Sequence, residues 1–235
     1  MDSSTTAKPR RQIGMMAGLA IAIIFISGLL KGQVPLIISL VGAVIALASW
    51  GYAMAIAARV RHTSWLILLV IGFVVGLALS AFSITRSSDG LNSGLLAATE
   101  FGVFAFAFFA LAYGMLGGGE VIERGVAAFF GGWGLLTLVI GGTLVGGAIG
   151  TTIGAGAAYI TAFGFRLYAV AGVLGLTSWI IGLIAGARTK AWGWFTLIVL
   201  LPAIGAFMFG LFGPTRQDVI MAQENARQRK AVGLS

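Results

Sequence analysis

The chain has 235 residues, 59% of them hydrophobic and 9% charged, with a mean hydropathy of +1.02. A water-soluble domain carries about 25% charged residues, so this composition excludes a soluble fold and points to an all-α, polytopic membrane protein. With no cysteine and a single histidine, His62, it also excludes disulfides, thiolate metal sites and a multi-histidine metal or haem cage. The net charge of +8 would suggest nucleic acid in a soluble protein. Here the basic residues punctuate apolar runs, so membrane lipids are the expected partner and nucleic acid is not.

A helix needs about 20 apolar residues to cross the hydrocarbon core. Residues 1–13, with Lys8, Arg10 and Arg11, read as an N-terminal tail, residues 14–213 as one transmembrane domain, and residues 214–235 as a basic polar C-terminal tail. In chain order the uncharged runs are 12–30, 32–58, 63–85, 101–119, 125–165, 167–187 and 191–215. Six of these fit one crossing each. Residues 125–165 are too long, since a helix of that length would measure roughly 60 Å. Two spans joined by a turn near Gly141–Thr143, or near Gly146–Gly150, fit better. The expectation is therefore eight spans, with seven as the alternative.

Lysine and arginine in short loops favour the cytoplasmic side. With the N-terminus inside, eight spans leave only Lys31, Arg86, Arg188 and Lys190 outside, and keep both termini cytoplasmic. Seven spans export the basic tail and nearly abolish the bias.

Two stretches share a pattern at a constant offset of 129: Ser49-Trp50, Arg59, Trp65 and Gly76 against Ser178-Trp179, Arg188, Trp194 and Gly205. Spans one to three then fall on spans six to eight, as in an internal duplication. The segment from Trp179 through Arg188 to "WGWFTLIVLLPAIGAFMFGLFGP" (192–214) carries a tryptophan, a basic turn, a second tryptophan and a Pro-x-x-Gly. Over residues 178–214 it resembles the transmembrane hairpin called the phospholipase D nuclease N-terminal type. That resemblance implies a bacterial plasma membrane. It implies no nuclease, because the chain has no phospholipase histidine-lysine-aspartate motif.

Within 125–165, Gly142, Gly146, Gly150, Gly154, Ala158 and Ala162 recur at every fourth position. In lipid, helices associate through close backbone approach, which small residues allow. The stripe is expected to pack against another helix, within the chain or in a partner subunit.

Glu100 is the charge of most interest, as a transport or proton site. The plainer reading starts span four at Phe101 and leaves Glu100 at the outer headgroups. Arg166 reads as a loop anchor, on the opposite face from Glu100 in the eight-span layout. Phe101, Phe104, Phe106, Phe108 and Phe109 read as lipid contacts. Trp50, Trp65, Trp179 and Trp194, with Arg59 and Arg188, read as interfacial anchors.

No serine–histidine–aspartate arrangement or phosphate-binding glycine loop occurs. The sequence thus points to a non-catalytic membrane protein without a cofactor, a scaffold or accessory subunit of a membrane assembly or a self-associating component. A small transporter or channel for an ion or small solute is the alternative.

Overall fold

The computed structural model describes residues 3–30, 34–86, 91–117, 123–150, 155–214 and 216–231, and among them every regular element is an α-helix. In chain order these are α1 (Ser3–Leu29), α2 (Val34–Arg59), α3 (Thr63–Arg86), α4 (Leu91–Leu116), α5 (Glu123–Gly150), α6 (Ala155–Arg188), α7 (Trp192–Leu200), α8 (Pro202–Phe212) and α9 (Arg216–Ala231). Helix is the form such apolar runs must take in lipid, where every backbone N–H and C=O has to be satisfied within its own segment. The first six helices are long and apolar enough to cross a membrane.

Three boundaries differ from the sequence expectation. Helix α1 starts at Ser3 and buries Ile13, so the expected N-terminal tail is mostly helix. Helix α5 runs unbroken through Gly141–Thr143 to Gly150, and α6 runs unbroken through Arg166. The runs 125–165 and 167–187 therefore form two long helices and not three spans. Their connection, residues 151–154, lies outside the described residues. The third difference is in 191–215, which is two short helices.

The chain divides into two compact units, Met1–Val121 with Leu136–Ala171, and Ile122–Leu135 with Gly172–Ser235. The first is built around α4. Of its apolar window 72% is buried, against 22% to 33% for the other five long helices. Phe104, Phe108 and Phe109 are core residues and not the expected lipid contacts. Phe104 meets Phe25 edge-on, and Phe25 in turn meets Phe163. Glycine lets the helices close on this hub. A methyl group at Gly114 would lie 2.7 Å from the Gly14 backbone nitrogen, and one at Gly72 would lie 2.5 Å from the Phe109 ring.

In the second unit α7 and α8 fold back on each other. A straight helix would separate Trp194 from Phe209 by about 22 Å, yet their rings are 5.9 Å apart. The break comes at Leu201 (φ −127°, ψ 74°), followed by Pro202 in the first turn of α8, where its missing N–H costs nothing. Gly205 makes the tight return feasible, since a methyl group there would lie 2.6 Å from the Leu197 carbonyl oxygen. Along α6, Gly175 faces Ala203 and Gly182 faces Ala206, so α8 runs back toward the end of α6 from which α7 departed. Ala185, Ile198, Ala206 and Phe209 form its core, flanked by Trp179, Leu183 and Trp194.

The α2–α3 and α6–α7 turns are built alike at the offset of 129. Helices α2 and α6 end at Arg59 and Arg188, and α3 and α7 start at Thr63 and Trp192. Arg61 and Lys190 are the two non-glycine residues with positive φ among the described residues, at 55° and 53°. The amides of Arg61, His62 and Leu66 donate to Ala58, Ala57 and His62, and those of Lys190, Ala191 and Phe195 donate to Ala187, Gly186 and Ala191. Trp50 Nε1 donates to the Leu69 carbonyl at 3.0 Å, and Trp179 Nε1 to the Ile198 carbonyl at 3.1 Å. These indoles staple their hairpins. Trp50→Phe and Trp179→Phe should therefore each lose about 1 kcal/mol in detergent unfolding titrations. A loss from one variant only would show that the two staples are not equivalent.

Candidate functional site

A buried ion pair lies within the first unit. Arg166 Nη1 donates to Glu100 Oε2 at 2.5 Å, with the carboxylate side chain 1% exposed and the guanidinium side chain 21% exposed. Helix α4 begins nine residues before Glu100, about 14 Å by helical rise. The carboxylate is thus well inside the span Asn92–Leu116, and the expected start at Phe101 is corrected. So is the reading of Arg166 as a loop anchor opposite Glu100. It is a mid-helix residue of α6 in contact with it. The missed signal was the lone charge itself, which in an apolar run reads equally as a span boundary.

Hydroxyl groups surround this part of α4. Ser80 Oγ on α3 donates to the Ala98 carbonyl at 2.8 Å, and Thr99 Oγ1 lies 2.9 Å from Ser39 Oγ on α2. Ser39 and Thr99 also reach the carbonyls of Leu36 and Leu96 on their own helices. One turn of α4 is thereby tied to α2, α3 and α6. Burying either charge alone would be prohibitive, and the pair is tolerable because each offsets the other. Glu100 Oε1 is buried without a hydrogen-bond partner. That oxygen is where the site could take up a proton or meet a cation.

The glycine stripe is divided. Gly142, Gly146 and Gly150 lie on α5, Ala158 and Ala162 on α6, and Gly154 lies outside the described residues. A methyl group at Gly142 would meet the Tyr168 hydroxyl at 3.2 Å, while at Gly146 it would meet nothing within 4 Å. Ala162 is exposed. The close approach of α5 to α6 uses other glycines. A methyl group at Gly141 would lie 3.0 Å from the Gly164 carbonyl oxygen, and one at Gly164 would lie 2.7 Å from Val145. The stripe as one continuous packing face is therefore corrected.

The expected anchors behave differently from one another. Trp50 and Trp179 are the staples described above, Trp194 packs on Phe209, and Arg59 and Arg188 close their helices. Trp65 is fully buried, edge-on to the fully buried Tyr113 at 5.4 Å, and neither Trp65 Nε1 nor Tyr113 Oη has a hydrogen-bond partner. It is a core residue and not an interfacial anchor. No group of three or more histidine, cysteine, aspartate or glutamate side chains could hold a metal ion among the described residues. Comparison with protein-family models, with curated proteins and with solved structures finds no match for the chain.

Proposed function

We propose that this protein is a non-catalytic integral membrane scaffold or accessory subunit, crossing the bilayer six times and dipping into it once more through α7–α8. The hairpin supports this topology. At 9 and 11 residues, α7 and α8 reach about half of a core roughly 30 Å thick. Arg124, at the start of α5, donates through Nε to the Gly210 carbonyl at 2.8 Å and through Nη2 to the Leu211 carbonyl, which holds the end of α8 beside the start of α5. With an even number of crossings both termini share one side. That side then carries Lys8, Arg10, Arg11, Arg59, Arg61, Arg124, Arg188, Lys190, Arg216, Arg227, Arg229 and Lys230, leaving Lys31 and Arg86 opposite. Such a bias marks the cytoplasmic face. Helices α2 and α6 then run in the same direction, so the matching turns belong to a parallel repeat. A prokaryotic plasma membrane rests on the resemblance over residues 178–214.

The observation that carries the assembly role is the open part of α5. Gly141 and Gly142 are covered by α6, whereas a methyl group at Gly146 would meet nothing within 4 Å. A partner helix can approach there as closely as α6 does one turn earlier. Purification in mild detergent should yield a complex or self-associated species, and Gly146→Leu should release it. A lone monomer from the wild-type chain would overturn the role. Cysteine labelling at positions 189 and 225 tests the topology, with both expected to react from the cytoplasm.

Glu100 Oε1 favours a second reading, a small ion or solute transporter. Reconstituted vesicles would then show flux that Glu100→Gln abolishes, and absence of flux in the wild type would remove this reading.

A further inference from the structure

Three of the four unpartnered buried polar side-chain atoms among the described residues belong to one end of the first unit: His62 Nδ1, Trp65 Nε1 and Tyr113 Oη. They lie on the α2–α3 turn, the first turn of α3 and the last turn of α4. On the same end, a cleft of about 380 Å³ opens between α1 and α4, lined by Arg10, Arg11, Gly14, Met15, Leu111 and Met115, with Gly114 at its base. The close approach of Gly14 to Gly114 shapes this cleft, since neither residue has a side chain to fill it. Tyr113 packs edge-on against Trp65 at this end. The lining of the cleft is amphipathic. Two guanidinium groups stand at its polar end, and glycine, leucine and methionine line it toward the hydrocarbon. Met15 and Met115 are 61% and 63% exposed, so the cleft opens sideways to lipid.

We propose that this cleft binds one anionic phospholipid. Arg10 and Arg11 hold its phosphate, and an acyl chain lies along Gly14, Met15, Leu111 and Met115. Charge complementarity selects the headgroup, because guanidinium groups pair with phosphate oxygens in two-point geometry. The sideways opening selects a lipid over a soluble anion, since only a lipid fills the apolar length. This site is independent of the assembly role and of the open part of α5.

Native mass spectrometry of the detergent-purified protein tests it, with phosphatidylglycerol, phosphatidylcholine and glycerol 1-phosphate added separately. One phosphatidylglycerol per chain should be retained, with phosphatidylcholine and glycerol 1-phosphate lost. R10Q/R11Q should weaken retention about thirtyfold, in line with the contribution of basic side chains at membrane surfaces. R59Q/R61Q removes the same charge from the same side and should leave retention unchanged. Unfolding curves show that each variant is folded. Equal retention of phosphatidylcholine, equal binding of glycerol 1-phosphate, or equal losses from the two arginine pairs would each overturn the site.

Discussion

Glu100→Leu is expected to destabilise the protein by about 3–5 kcal/mol, because it leaves Arg166 as an uncompensated charge within the helix packing. The reverse variant, Arg166→Leu, strands a carboxylate that is 1% exposed and should cost at least as much. The double variant Glu100→Leu/Arg166→Leu should recover most of the loss, since two apolar side chains leave no charge to neutralise. Detergent unfolding curves for the four proteins form a double-mutant cycle that isolates the coupling. Additive losses, with no recovery in the double variant, would show that the pair is not what fastens α4 to α6. The hydroxyl contacts of Ser39, Ser80 and Thr99 remain in all four proteins, so the cycle reads the ion pair and not the polar belt around it.

Gly210→Ala should be a strongly damaging single methyl in the second unit. Its Cβ would sit 2.5 Å from the Ala128 amide nitrogen and 2.6 Å from the Ala128 Cα. Those are backbone atoms of α5, which cannot swing aside as a side chain can. Overpacking of this kind costs typically 1–3 kcal/mol. The Arg124 bonds to the Gly210 and Leu211 carbonyls would be strained as α8 moves away, placing the expected loss at the upper end of that range. Gly172→Ala is the matching control, since a methyl there meets nothing within 4 Å and alanine is the better helix former. It should leave unfolding unchanged or raise the midpoint. Equal behaviour of the two variants would mean that α8 does not rest on α5 as described.

Much of this architecture is legible in the residues alone. The low charge and long apolar runs dictate membrane helices, and the recurrence of Ser-Trp, arginine and tryptophan at an offset of 129 marks two turns that share their hydrogen bonds and their left-handed residue. What stayed hidden has a common cause. In a sequence this rich in glycine, alanine and leucine, a charge or a proline is the only punctuation, and its meaning depends on contacts far along the chain. Arg166 reads as a boundary until Glu100, 66 residues away, is placed against it. Pro202 lies amid apolar residues that could as well cross the membrane straight, and only the return contacts of Gly205 and Phe209 show the fold-back. Phe104, Phe108 and Phe109 carry no mark that separates a core face from a lipid face, because both solvents are apolar.

The folded-back α7–α8 pair has a mechanical consequence. In the proposed topology it enters one leaflet and returns, adding lateral area to that half of the bilayer and none to the other. The opposing lipids must extend or tilt to cover its tip at Leu201–Pro202, a local thickness mismatch that costs a fraction of a kcal/mol per ångström. A membrane that bulges toward the leaflet holding the hairpin relieves that cost, so the proposed topology implies a preference for curved over flat regions of the membrane.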